Sequence, residues 1–221
     1  MNGEKRLVVA TGIVGLVAAI MTGTGEFLLH YDPLNRYAEG LDYLADVSAE
    51  RANIGHFLGS LGAPLYLIGT LHLYWMLRSA NQRWAAALAM ILAYSFAIAA
   101  IWLGSRATLH SLAVSEPSTM ISMMRAQYEL RYETLLNFAR AGVLLVSIIY
   151  AWLIVRGPSP YPRWMAIANP ILLIAGCFAV WFVIPAVGKF IMPIALNVAF
   201  TIIFALSVYF ASRRFGEGLD Q

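Results

Sequence analysis

The sequence predicts an all-α integral membrane protein, a six-helix bundle with its N- and C-termini in the cytoplasm. Three observations carry that expectation. Of 221 residues, 60% are hydrophobic and only 12% charged, with a mean hydropathy of +0.69, whereas a soluble domain carries about 25% charged residues. Six apolar runs approach the roughly 20 residues a helix needs to cross the hydrocarbon core. Two of the connections are short and basic at both edges, the mark of a cytoplasmic turn.

The six runs cover 7–29, 54–77, 84–109, 135–155, 164–186 and 190–212. A removable secretory leader gives way to a polar chain, but here the apolar character continues, so 7–29 reads as a first span. The basic connections are 78–83 and 156–163. With six crossings, Lys5, Arg6, Arg213 and Arg214 join them on one side, making eight of the 15 Lys and Arg residues. Setting aside Arg106, Arg131 and Arg140, which sit within or beside spans, the other side retains four. The predicted location is therefore the bacterial cytoplasmic (inner) membrane, multi-pass.

The opposite, outer half holds the long connections, 30–53 and 110–134, and nine of the twelve acids. Tyr31-Asp32-Pro33 reads as a turn, and 37–51 as a short interfacial helix. Glu116-Pro117-Ser118 resembles a helix start with Ser118 as N-cap. No breaker follows before Gly157, so the fourth helix is expected to project beyond the bilayer. With no repeat, low-complexity tract or linker, residues 1–221 read as a single transmembrane domain. Gly55, Gly59 and Gly62 place small residues on the second span, where a neighbouring backbone can approach.

Composition also excludes functions. The lone Cys177 lies in an apolar run and rules out an intramolecular disulfide or a Cys-based zinc site. A net charge of +3 with dispersed basic residues makes nucleic acid an unsuited partner. P-loop, Rossmann and GxSxG signatures are absent. Lys189 sits at a helix end, too shallow for a retinal Schiff base, and reads as a snorkelling interfacial lysine.

The residues that carry chemistry are the polar ones at membrane depth, where an ionisable side chain costs about 2.5–3.5 kcal/mol and faces protein or a hydrated cavity. Glu26 and His30 lie one turn apart at the end of the first span; His56 opens the second; Trp102, Arg106 and His110 close the third. On the fourth helix Arg125, Glu129, Glu133, Asn137 and Arg140 form one stripe at helical spacing. All are expected to converge at the outer face. Imidazoles and carboxylates at one level suit a divalent metal such as zinc or iron, with His30, His56, His110 and Glu129 as ligands. They equally suit proton transfer, with Glu26, His56 and Glu133 as catalytic groups and Arg106, Asn137, Arg140 and Trp102 binding the ligand.

The leading functional expectation is thus a membrane-embedded enzyme, metal-dependent or acid/base, acting on a lipid or lipophilic small molecule, with membrane lipids as its partners. A non-enzymatic binding protein or small transporter for an amphiphile is the rival. A structural protein with architectural ion pairs is the third reading. In the inner half, His72 reads as a hydrogen-bonded core histidine, with haem ligation as the alternative. Asn169 and Asn197 read as partners of kinked backbone.

Overall fold

The computed structural model describes residues 3–37 and 40–216, and the side chains of Glu4, Lys5 and Arg214–Gly216 lie outside that description. Two of the basic residues used for orientation, Lys5 and Arg214, therefore carry no structural account. The described elements are all helical. In chain order they are α1 (Gly3–His30), a 3-10 turn (Asp42–Asp46), α2 (Ala49–Gly62), α3 (Leu65–Leu77), α4 (Gln82–Ala113) and α5 (Thr119–Arg156). A second 3-10 turn (Arg163–Ala166), α6 (Pro170–Val183), α7 (Pro185–Ile191), a third 3-10 turn (Met192–Ile194) and α8 (Ala195–Gly216) complete the chain.

Local chemistry sets these boundaries. Ser118 accepts a hydrogen bond from Ile121 N and starts α5, as its N-cap position predicts. Asn81 caps α4 by accepting from Arg83 and Trp84 N, and Asn169 caps α6 by accepting from Leu172 N, with Pro170 at the first helical position. Ser48 caps α2, so the second span begins several residues earlier than hydropathy suggests. Pro64 divides that span into α2 and α3 because it has no N–H to continue the ladder. Of the interfacial helix expected over 37–51, the described residues form the 3-10 turn Asp42–Asp46, while Ala49 to Arg51 belong to the first turn of α2, and 38–39 lie outside the described residues.

Among the described residues, five helical stretches are long and apolar enough to cross a membrane: Arg6–His30, Ala49–Leu77, Gln82–Ala113, Thr119–Arg156 and Pro185–Arg213. This composition is compatible with an integral, multi-pass membrane protein. The fifth predicted span, 164–186, is represented by Pro170–Val183, a shorter apolar helix of 14 residues. Asn169 and Pro170 separate it from the 3-10 turn Arg163–Ala166, so its continuous helix falls short of the roughly 20 residues a crossing needs.

α1 is the central helix and packs on α2, α3 and α8. Its glycines face successively earlier positions of α8: Gly12 lies against Val208, Gly15 against Phe204 and Gly23 against Asn197. The two helices therefore run antiparallel, and both ends of the described chain lie at one end of the bundle. That end also holds the basic turns, since Gly157 abuts Ala80 and Trp84 packs edge-on against Trp152. α1 and α2 approach at backbone distance: a Cβ on Gly55 would stand 2.8 Å from the Gly25 carbonyl oxygen. Dispersion between closely fitted backbones holds membrane helices together where lipid is as apolar as leucine.

Two cores result. The larger joins Tyr66, Phe96, Phe200 and Phe204 to inner residues such as Leu88, Tyr150 and Met165, with the Tyr66 and Phe96 rings stacked 4.0 Å apart. The smaller, at the outer end, gathers Leu29, Tyr43, Leu44, Val47, Trp102 and Tyr132. It fixes the outer loop over the bundle. Trp181 Nε1 donates to Asn35 Oδ1 at 2.8 Å, tying the end of α6 to a loop residue in the left-handed region, φ 61°. Asparagine tolerates that conformation better than most side chains.

Candidate functional site

The polar centre of the outer half is an ion pair between Glu26 on α1 and Arg106 on α4. Arg106 Nη1 stands 3.4 Å from Glu26 Oε1, with the two side chains 3% and 6% exposed. The guanidinium is held on three sides. Its Nε and Nη2 donate to Tyr132 Oη at 3.1 and 2.8 Å, and its carbon lies 4.1 Å from the centre of the Trp102 ring, a cation–π contact strengthened by burial. On the other side, Glu26 Oε2 accepts from Asn197 Nδ2 at 2.6 Å, and Asn197 Oδ1 accepts from the Tyr66 hydroxyl at 2.6 Å.

Tyr66, Asn197, Glu26, Arg106 and Tyr132 thus form one chain of contacts across α3, α8, α1, α4 and α5. All five are buried. Charges withdrawn from water in this way persist only when paired and hydrogen-bonded, and here three neutral side chains, Tyr132, Trp102 and Asn197, surround the pair.

Two spaces adjoin the chain. A small cavity of about 20 Å³ lies among Thr22, Glu26, Tyr66, Trp102 and Asn197, enough for about one water molecule. Among the described residues, Thr22 Oγ1 and Trp102 Nε1 are buried on its lining without a hydrogen-bond partner. The second space is an open groove of about 330 Å³ between α1 and α8, walled by Ile20, Gly23, Thr24, Phe27, Val198 and Thr201. Asn197 borders both spaces. It is the polar link between an open, largely apolar groove and the buried carboxylate.

Of the sequence-predicted site residues, the structure brings together Glu26, Arg106 and Trp102. The histidines are engaged elsewhere. His30 is hydrogen-bonded to Tyr43 Oη, 2.7 Å from Nδ1, and stacked on Tyr37. His110 Nε2 donates to the Val47 carbonyl at 2.7 Å, since a carbonyl can only accept. His56 packs edge-on against Phe57 near Gly104, with Nδ1 buried and lacking a hydrogen-bond partner. Glu129 pairs with Arg125 at 2.8 Å, and Arg125 also binds Asp42, which fastens α5 to the outer loop. Glu133, Asn137 and Arg140 are exposed on the far side of α5.

The expected zinc or iron site is consequently not assembled. Among the described residues no three His, Cys, Asp or Glu side chains lie close enough to hold a metal ion. His30, His110 and Glu129 each bind a loop or neighbouring side chain, and His56 faces a different helix pair. The helical spacing that put five polar residues of α5 on one stripe is real, but the stripe turns: Arg125 and Glu129 face the outer loop and the remainder faces outward.

Tyr66, Tyr132, Asn197 and Thr22 were not singled out as site residues by sequence. Tyrosines at span ends are commonplace, and nothing local distinguishes those two. Asn197 was visible as an amide within a span, a costly placement that signals a partner, but only the fold shows that the partner is Glu26.

Above the site, the outer loop is set by Asp32. Its carboxylate accepts from Leu34 N, Arg36 N and the Arg36 guanidinium. The hydrogen bond from Arg36, more than any other influence, holds its pKa below the ordinary 3.8. Burial pushes the Tyr37 hydroxyl up to about 12 and the Tyr43 hydroxyl higher still, so both stay protonated as hydrogen-bonding partners.

The pattern of one family extends over residues 1–213, a family of unknown function designated DUF6796. The chain belongs to that family. No curated protein and no solved structure matches it. The DUF6796 match covers every element that builds the Glu26–Arg106 site, from α1 to α8.

Proposed function

We propose that this protein binds a lipophilic small molecule from the outer leaflet, with the apolar part in the α1/α8 groove and the polar end toward Asn197 and the Glu26–Arg106 pair. The observation that carries this reading is the shared position of Asn197. Its side chain borders a groove of about 330 Å³ and is hydrogen-bonded to the buried Glu26 carboxylate. An apolar cleft with a few convergent polar groups is the usual form of a ligand site, and here the cleft opens where lipid would be.

The proposal includes six crossings with both ends on the cytoplasmic side. Its support is that Tyr161, ahead of the 3-10 turn Arg163–Ala166, is hydrogen-bonded to Ser207 in the second half of α8, while Trp181, near the end of α6, reaches the outer loop at Asn35. The segment 161–181, the 3-10 turn together with α6, therefore runs between the two ends of the bundle. The basic turns gathered at one end fit the positive-inside rule.

The test is mass spectrometry of molecules extracted from the purified protein. Ile20, 54% exposed on the groove wall, is changed to tryptophan to fill the groove without touching the core. The expected result is a lipophile enriched over the surrounding membrane lipids and reduced about tenfold in Ile20→Trp, the effect of losing about 1.4 kcal/mol of binding. Identical, bulk-like lipid profiles in parent and variant would remove the reading.

A second reading, a membrane-embedded enzyme in which Glu26 is acid or base, is favoured by the small cavity. There Thr22 Oγ1 and Trp102 Nε1 offer unused hydrogen bonds beside the carboxylate, as a reacting water or hydroxyl requires. It predicts that cells producing Glu26→Gln accumulate a lipophile that cells producing the parent convert. Unchanged lipid profiles exclude it.

A further inference from the structure

Glu133, Asn137 and Arg140 remain unaccounted for by the site. They lie on α5, whose opposite face, with Tyr132, Ala139, Val143, Val146 and Tyr150, is buried in the bundle. The Glu133 and Arg140 side chains are 57% and 62% exposed, and Asn137 is exposed beside them. Arg140 lies sixteen residues before Arg156 at the inner end of the helix, about 24 Å along its axis. In a hydrocarbon core about 30 Å thick its backbone is at membrane depth. Ionisable residues at that depth face protein or a water-filled cavity, yet among the described residues no part of this chain covers these.

The three side chains already form one group. Arg140 Nη1 donates to Asn137 Oδ1 at 3.0 Å and stands 4.0 Å from Glu133 Oε2. The arginine reaches toward the outer surface, so its charge and the glutamate's lie at one height. Such a patch is complementary to itself: a two-fold axis normal to the membrane brings a second acid, base and amide to the same height, each able to meet its opposite. Exposed Phe138, Leu144, Leu145 and Ile148 continue the face inward.

We infer that the outward face of α5 is where a second copy of this chain docks, with Glu133, Asn137 and Arg140 hydrogen-bonding across a two-fold axis. An amide within a span is enough to associate membrane helices, and the charged pair fixes the height at which they meet.

Oxidative crosslinking in native membranes tests this. The only native cysteine, Cys177, is buried, so Leu144→Cys, 47% exposed on the face, introduces one accessible thiol without touching the polar group, and Met90→Cys, 67% exposed on α4, serves as control. A disulfide-linked dimer is expected from Leu144→Cys at least tenfold above Met90→Cys. In mild detergent the otherwise unaltered chain is expected to have the mass of a dimer, and Glu133→Leu/Asn137→Leu/Arg140→Leu that of a folded monomer. Equal crosslinking at both positions, or a monomeric parent, overturns the inference and leaves the stripe to lipid head groups.

Discussion

At the scale of single residues, the Glu26–Arg106 pair is a liability unless intact. Removing one partner leaves the other charge buried, at a cost of about 3–5 kcal/mol, whereas replacing both with apolar groups is often neutral. Glu26→Gln and Arg106→Met are each expected to lower the thermal unfolding midpoint in detergent sharply, and Glu26→Leu/Arg106→Met to recover most of the loss. Additive losses would mean that the two groups act independently. His72 carries a second, directional chain in the inner half. Its Nδ1 must donate to the Val8 carbonyl, 2.7 Å away, so Nε2 accepts from Ser207 Oγ at 2.5 Å, and Ser207 in turn accepts from the Tyr161 hydroxyl. Ser207→Ala strands two buried groups, at about 1–3 kcal/mol each, while Tyr161→Phe removes an end donor, at about 1 kcal/mol. Equal effects in chemical denaturation would contradict this order. The core-histidine reading of His72 followed from its depth and polar neighbours in sequence, but the partners on α1 and α8 are 64 and 135 residues away and could not be read.

At the scale of elements, the start of α5 was legible because Ser118 announces it, whereas Ser48 and Asn169 cap helices that begin elsewhere than hydropathy places them. The contrast between the tight turns after α3 and α5 and the long loop after α1 was legible as well. What was not legible was rotation. A stripe of Arg125, Glu129, Glu133, Asn137 and Arg140 has helical spacing, but on a helix of 38 residues the two ends meet different neighbours. The outer loop is an element with its own pH dependence. Because the Arg36 hydrogen bond depresses the Asp32 pKa below 3.8, the folded loop gains stability that is fully present above that value and is lost as pH falls through the depressed one. Hydrogen exchange over 31–37 and 40–48 is expected to stay slow down to about pH 4 and to accelerate below, whereas Asp32→Asn should exchange fast throughout. A parent loop that opened near pH 6 would instead implicate histidine.

At the scale of the whole molecule, six apolar runs were visible but, among the described residues, five helical stretches meet the length and composition of a span, because Asn169 and Pro170 shorten α6. Hydropathy alone could not decide whether that segment crosses. Reporter fusions after residues 80, 160 and 213 are expected on one side and a fusion after 187 on the other. A fusion after 213 on the side opposite 80 would mean five crossings. The polar site shows the same division between what composition announces and what only folding assembles. Glu26, Arg106 and Trp102 declared themselves by standing polar or aromatic near the outer ends of spans, while Asn197 became part of the site through the antiparallel packing of α1 and α8.

The central claim is that lipophile reaches this polar chain through the α1/α8 groove. Photolabelling in native membranes with a long-chain alcohol bearing a diazirine tests it most directly. Adducts are predicted to concentrate on Ile20, Phe27, Val198 and Thr201 and to fall with Ile20→Trp. Labelling spread evenly over the exposed faces of α4 and α5, with none enriched on α1 and α8, would contradict it.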